Sequence, residues 1–137
     1  MALDIGFDLD DYIPDAPAVD RGQYVVSVRD CRELENGRLM IATKIVKGPV
    51  QKNGKDPAER DYTFFINLHP EGIDNEWARN HNMNLTKKVF MACGLTSQAD
   101  ATDFVGKTFW VSTAPRANKE TGEIRDDPQD FRPYVEA

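Results

Sequence analysis

The sequence predicts a mainly β domain: a five-stranded Greek-key barrel with one helix between the third and fourth strands. Three observations support this prediction. Several short segments alternate apolar and polar residues with the period of a β-strand. Asn36-Gly37 is a strong hairpin signal between the first two segments. Only one segment shows helical spacing, and it falls after the third strand.

The first three strands follow from the alternation. The first begins at Gly22 and turns Tyr24, Val26 and Val28 inward, whereas the residues between them face outward. The second strand covers residues 38–47 and pairs with the first through the Asn36-Gly37 turn. A loop with a basic tip at residues 48–60 leads to the third strand at residues 62–68. There Phe64 faces inward and Phe65 therefore faces outward.

The rest of the domain contains the helix and two more strands. We place the helix at residues 74–93, with a break near residues 82–84, and Gly94 as a left-handed C-cap. Its apolar positions are Trp77, Leu85, Val89, Ala92 and Cys93. The fourth strand is predicted at residues 106–113, with Trp110 outward, a long polar loop at 115–129, and a short fifth strand at 131–135. This order of elements is that of the OB-fold, which commonly binds oligonucleotides.

Charge is distributed unevenly along the chain. Residues 1–20 contain six acids and no base, residues 21–119 contain 15 bases and 11 acids, and the whole chain has a net charge of −6. We therefore predict a flexible acidic arm at residues 1–20 and an OB-fold nucleic-acid-binding domain at residues 21–137. A basic domain attached to an acidic arm is expected to bind a polyanion and to carry its own competitor for that site.

Several classes of protein do not fit the composition. A length of 137 residues suits one domain, and no apolar run is long enough for a signal peptide or a membrane span. We expect a soluble cytoplasmic protein, in the host cell if a phage encodes it. Cys31 and Cys93 are expected to be buried free thiols rather than a disulfide.

Several short motifs resemble a family of phage-encoded single-stranded DNA-binding proteins with an OB-fold. They are residues 20–28 (DRGQYVVSV), Asn67-Leu68, residues 92–95 (ACGL) and residues 105–107 (VGK). The resemblance covers about residues 20 to 135. It implies binding of single strands without sequence specificity, in phage DNA replication or recombination.

The arm carries a second resemblance. Residues 7–14 (FDLDDYIP) look like the acidic tip of bacterial single-stranded DNA-binding proteins, which recruits replication and repair enzymes and competes with DNA. That tip ends the bacterial chains, whereas this segment lies near the start and continues past Pro14. The resemblance implies replication or recombination proteins as partners of the arm, through Phe7, Asp8, Asp10, Asp11, Tyr12 and Ile13.

The candidate nucleic-acid-binding residues are cations for phosphates and aromatic rings for stacking on bases. The outward aromatic candidates are Phe65 and Trp110, with Tyr62 at a strand start as a weaker third. The candidate cations lie on the first two strands and the loops: Arg29, Arg38, Lys44, Lys47, Lys52, Lys55, Arg116 and Lys119. Each also has the alternative interpretation of an ordinary surface or packing residue.

No catalytic or metal-binding pattern is present in the sequence. His69 and His81 are not spaced with the two cysteines as zinc ligands are, and no nucleophile or phosphate-loop motif occurs. We therefore expect no enzyme, no metal and no cofactor. The alternative function is an acidic protein-interaction or DNA-mimic module that acts on a host or replication protein. A virion structural protein is a third possibility, and self-association stays open.

Overall fold

The computed structural model describes residues 16–135. They contain five β-strands and one long helix in the order predicted from the sequence. The strands are β1 (Gly22–Glu33), β2 (Arg38–Lys47), β3 (Asp61–Asn67), β4 (Thr108–Ala117) and β5 (Ile124–Pro133), and α1 is Glu76–Ala92. This confirms a mainly β fold with the helix between the third and fourth strands. None of the helices in the described part of the chain is long and apolar enough to span a membrane.

The strands form one antiparallel sheet in the order β3-β2-β1-β4-β5. Strands β3 and β5 are the two ends of this sheet, and the hydrogen-bonded sheet does not close between them. The sheet curves enough to bring their side chains together, because the ring centroids of Phe64 on β3 and Phe131 on β5 lie 5.1 Å apart. The architecture is therefore an OB-like barrel with an open seam between β3 and β5.

The core lies inside this curved sheet, and α1 packs across it beside β3 and β5. The inward residues of β1, β2 and β3 are those that the alternation predicts, including Tyr24, Ile41 and Phe64. Turn residues 34–37 join β1 to β2, with Gly37 at φ 78° as the hairpin signal requires. Cys31 and Cys93 are buried free thiols, as expected.

The helix differs from its prediction in two respects. It is continuous from Glu76 to Ala92, with no break near residues 82–84. Asn75 caps its start, because the Asn75 side chain accepts a hydrogen bond from the backbone N–H of Ala78. Trp77 does not belong to the buried face of α1: it is 73% exposed. Val89 and Ala92 form the buried part of the helix as predicted, and Gly94 follows in the left-handed conformation.

The largest difference concerns the segment predicted as a polar loop. Strand β4 continues to Ala117 and β5 begins at Ile124, so residues 108–133 form one long hairpin with its turn at residues 118–123. The β5 sequence IRDDPQDFRP is mostly polar and exposed, so it shows no apolar alternation. Its backbone forms the strand by pairing with β4, and Phe131 is the one side chain of β5 that is buried.

Residues 16–20, which the sequence analysis assigned to the arm, are attached to the domain. Ala18 and Val19 are buried, and the Val19 N–H donates to Asp126 Oδ1 at 2.8 Å. Asp20 joins the loop after β2, since its N–H donates to Gln51 Oε1 at 2.7 Å. The packed structure therefore extends back at least to Ala18. The remainder of the predicted arm lies outside the described residues.

Candidate nucleic-acid interface

Cross-strand pairing arranges the outward residues of the sheet in rows. We call this surface the outer face, because it points away from the core. Six rows cross it in this order: Asp130–Ser112–Gln23, Arg132–Trp110–Val25–Lys47, Thr108–Ser27–Lys44–Asp61, Asp30–Ala42–Thr63, Arg32–Met40–Phe65 and Arg38–Asn67. Bulges in β1 next to residues 25 and 29 set which residues share a row.

One end of the outer face carries the first aromatic and cationic pair. Phe65 is 39% exposed, and the guanidinium carbon of Arg38 lies 4.6 Å from the centroid of its ring. Met40 stands beside Phe65 in the same row. We call these three residues the Phe65 patch. A guanidinium at this distance forms a cation–π contact and leaves N–H donors for phosphate oxygens. The outward orientation of Phe65 agrees with the sequence analysis.

The other end carries a second group of the same chemistry. The rings of Trp110 and Tyr134 meet edge to face with their centroids 5.9 Å apart. Lys47 Nζ lies 5.7 Å from the Trp110 centroid and 5.1 Å from that of Tyr134. Arg132 stands next to Trp110 in the row and donates a hydrogen bond to Gln23 Oε1. We call these five residues the Trp110 patch.

The surface between the two patches combines small side chains with charged ones. From Met40 to Lys47 there are seven residue steps along β2, which span about 23 Å. The middle rows hold the small side chains of Ser27, Ala42 and Thr63, together with Asp30 and the Lys44–Asp61 ion pair. An extended polymer could therefore contact both patches.

Lys44, a predicted phosphate ligand, lies in the middle of the outer face. Its ammonium forms an ion pair with Asp61 at 2.8 Å, and both side chains are partly exposed. Exposed ion pairs contribute little to stability. The carboxylate of Asp61 nonetheless offsets the charge that Lys44 would offer to a phosphate, so Lys44 is a weaker candidate than Lys47.

The remaining predicted cations lie outside the two patches. Arg29 is exposed at the β1 bulge, and Lys52 and Lys55 belong to the loop after β2. Arg116 lies on the long hairpin and is 3.7 Å from Asp127, while Lys119 is in the turn of that hairpin. The structure places the cations of Arg38 and Lys47 over aromatic rings.

Tyr62 is not available for stacking. It is fully buried, and its hydroxyl donates to Thr113 Oγ1 at 2.6 Å. Burial raises the pKa of this phenol. The residue belongs to the core, because β3 alternates and Tyr62 shares the inward face with Phe64 and Ile66. The proposed role of Tyr62 in contacting bases is therefore incorrect.

A groove of about 800 Å³ occupies the seam between β3 and the start of β5. Its apolar lining includes Phe65 and the exposed Ile124, and Pro17 also contributes to it. Four carboxylates and two arginines also line this groove: Asp61, Glu123, Asp126, Asp127, Arg38 and Arg125. This seam groove is therefore less suited to a polyanion than the outer face.

Asp126 differs from the other acids of the seam groove because it accepts a hydrogen bond from the backbone N–H of Val19. Desolvation raises the pKa of its carboxyl group, and the hydrogen bond from Val19 opposes this shift. The side chain fastens the segment before β1 to the start of β5. Its role in the described structure is therefore structural.

Sequence reasoning missed three residues of the Trp110 patch: Gln23 on β1, and the pair Arg132 and Tyr134 near the end of the chain. A signal was available for this pair, because both lie in the predicted fifth strand and alternate with the inward Phe131. Applying the alternation to that strand would have placed both on the same face. Their meeting with Trp110 depends on the β4–β5 register, which the sequence alone does not supply.

The predicted partner-binding residues of the arm lie outside the described residues: Phe7, Asp8, Asp10, Asp11, Tyr12 and Ile13. Within residues 16–135, no three His, Cys, Asp or Glu side chains are grouped so that they could hold a metal ion. Comparison with protein-family models gives no match, and comparison with curated proteins gives none either. The functional interpretation therefore depends on the geometry of the outer face.

Proposed function

We propose that the protein binds single-stranded DNA without sequence specificity on its outer face, and protects single strands during phage DNA replication or recombination. One observation carries the proposal: two aromatic and cationic patches lie at the ends of one sheet surface, about 23 Å apart along β2. Aromatic faces stack on bases of any sequence, and cations follow the phosphates. Such a role would place the protein in the cytoplasm of the host cell.

The two patches account for different parts of binding. Stacking of one base on an aromatic side chain contributes about 1 to 3 kcal/mol and is tolerant of sequence. Phe65 and the Trp110–Tyr134 pair would each accept a base. Arg38, Lys47 and Arg132 would contact phosphates, and each contact adds about 0.7 to the slope of log affinity against log salt on a single strand. The proposal requires no catalytic step and no cofactor.

Tryptophan fluorescence offers a direct test. The chain has two tryptophans, of which Trp110 lies in its patch and Trp77 lies on α1. In the Trp77→Phe variant all tryptophan emission comes from Trp110. We expect oligothymidylate to quench this emission, with weaker binding at higher salt. A duplex of equal length should bind much less, because paired bases are not free to stack.

Two results would refute the proposal. One is an absence of binding to oligothymidylate at low salt, and the other is equal affinity for duplex and single strands. The reciprocal variant, Trp110→Phe, is the control, because its remaining Trp77 should be quenched far less. If both tryptophans respond equally, the DNA does not use the outer face.

The second candidate function is an acidic protein-interaction or DNA-mimic module. The observation that favours it is the seam groove, where four carboxylates face two arginines. In that case the protein would bind a cationic protein surface and would not bind single-stranded DNA. The fluorescence titration separates the two functions, because only the first requires a response of Trp110 to an oligonucleotide.

A further inference from the structure

An apolar groove lies beside α1, and its lining includes no residue of the Phe65 patch or the Trp110 patch. Its volume is about 470 Å³, and Leu68, Phe90 and Met91 provide most of its lining. Met91 is 72% exposed, although it is a large apolar side chain. The polar part of the groove lining consists of Thr86, Lys87 and Ser97. We call this the α1 groove. An exposed apolar groove with a polar rim is typical of a docking site.

The charge at the rim of the groove is positive. Lys87 is the only charged residue in the lining, and it forms no ion pair within residues 16–135. The neighbouring Lys88 differs, since it pairs with Asp130 at 3.1 Å. A ligand suited to the α1 groove therefore combines apolar side chains with at least one carboxylate.

Residues 7–13 of this chain have that composition. The segment FDLDDYI places apolar or aromatic residues next to aspartates throughout. The arm is also too short to form a core of its own. A short segment of this kind can be ordered by a groove that accepts its apolar side chains while the aspartates face Lys87.

The arm is long enough to reach the groove within one molecule. The Ala16 carbonyl accepts a hydrogen bond from Arg60, just before β3, and Leu68 follows the end of β3. The eight steps from Arg60 to Leu68 span about 26 Å. The seven steps from Ala16 back to Leu9 span up to about 25 Å when extended. An arm that follows β3 therefore brings residues 7–9 to the α1 groove.

We propose that residues 7–9 dock in the α1 groove of their own chain, with Phe7 and Leu9 against Phe90 and Met91 and Asp8 near Lys87. Attachment through residue 16 keeps the segment at a high effective concentration near the groove, which favours docking within one molecule over exchange between copies. Docking requires no nucleic acid, so it is independent of the proposed function and can fail or succeed without it.

Disulfide trapping in the full chain tests the proposal. The pair Leu9→Cys and Met91→Cys, oxidised with diamide, should form a monomeric cross-link. The matched control is Leu9→Cys with Trp77→Cys, because Trp77 is equally exposed on the same helix but about 21 Å from Met91. We expect cross-linking to Met91→Cys at least about tenfold faster than to Trp77→Cys. The native thiols are buried and serve as an internal background.

A charge reversal provides the second measurement. Adding Lys87→Glu to the Leu9→Cys and Met91→Cys pair should slow cross-linking several-fold, whereas Lys119→Glu, in the turn of the β4–β5 hairpin, should not change it. Equal rates for the two cysteine partners would overturn the proposal. A cross-link that forms only between two chains, at a rate that rises with protein concentration, would overturn docking within one molecule and assign the groove to a second copy.

Discussion

The ring of Phe64 on β3 lies 5.1 Å from the ring of Phe131 on β5, with an angle of 34° between their planes. The two strands are at opposite ends of the sheet and share no hydrogen-bonded ladder. Phe109 completes the cluster, 6.3 Å from Phe64 and 5.8 Å from Phe131. Aromatic packing therefore holds the seam of the barrel where backbone pairing is missing.

Neighbouring residues of β3 should respond differently to truncation. Phe64→Ala removes a buried ring from the seam cluster and should destabilise the fold by about 3 to 5 kcal/mol. Phe65→Ala removes an exposed ring and should leave the fold largely intact, while it weakens oligonucleotide binding by about 1 to 3 kcal/mol. Thermal melting and a binding titration on both variants measure the two effects. A larger loss of melting temperature in Phe65→Ala would contradict the observed register.

The salt dependence of DNA binding should identify the cations that contact phosphate. Lys47→Gln removes the ammonium that lies over Trp110 and Tyr134, and should reduce the slope of log affinity against log salt by about 0.7. Lys88→Gln, on α1, is the control and should leave the slope unchanged. The loss in Lys47→Gln should be the same for all sequences, because phosphate contacts carry no sequence information. An unchanged slope would remove Lys47 from the interface.

Lys44→Glu tests whether a negative charge between the two patches weakens the binding of single strands. The substitution places a second carboxylate beside Asp61, which now pairs with Lys44 at 2.8 Å. We expect weaker binding of single strands of every sequence, because the new charge repels phosphates along the whole face. Titrations against oligothymidylate and a mixed sequence provide the measurement. A loss confined to one sequence would be incompatible with nonspecific binding.

The stability of the protein should depend on the charge state of Asp126. Burial raises the pKa of this carboxyl group, so the folded protein retains its proton to higher pH than the unfolded chain does. The contribution of Asp126 to the free energy of unfolding therefore decreases as pH rises through the interval between the usual carboxyl pKa and the raised one. Asp126→Asn keeps an oxygen that can accept from the Val19 N–H but removes the buried charge. We expect the variant to melt no lower than the parent at pH 7 and to lose this pH dependence.

The control for Asp126→Asn is Asp127→Asn, which also removes one negative charge from β5. Asp127 lies 3.7 Å from Arg116 on the hairpin and does not hold the segment before β1. The slope of melting temperature against pH across the acidic range should change only in Asp126→Asn. A lower melting temperature for this variant at pH 7 would show that the ionised form anchors Val19 better than the neutral amide does.

A glycine after β2 should be irreplaceable for steric reasons. A Cβ at Gly48 would lie 2.2 Å from the ring of Tyr24. That ring is buried, and its hydroxyl is held by the Asp20 carbonyl at 2.7 Å and by Gln51 Nε2 at 2.8 Å. Gly48→Ala should therefore destabilise the fold by about 1 to 3 kcal/mol. Gly72→Ala, where an added Cβ meets nothing within 4 Å, should change stability by less than about 0.5 kcal/mol. Equal melting temperatures for the two variants would contradict this packing.

The sequence alone was sufficient for the fold class and for the side-chain directions in the first three strands. Side chains on a strand alternate between its faces, so an inward Phe64 implies an outward Phe65. The hairpin turn at Gly37 and the C-cap at Gly94 were also predictable, because both positions need a left-handed backbone. These features depend on neighbours in the sequence, which are visible without a structure.

Tertiary structure decided the features that depend on distant neighbours. Strand β5 has little apolar alternation, so its length became visible only through its pairing with β4. Lys47 lies over Trp110 because two bulges and two ladders set the register across β2, β1 and β4. Trp77 matches the apolar spacing of α1 but is exposed, since the sheet covers only the face that contains Val89 and Ala92. Periodicity describes which residues share a face, whereas packing between elements determines what each face meets.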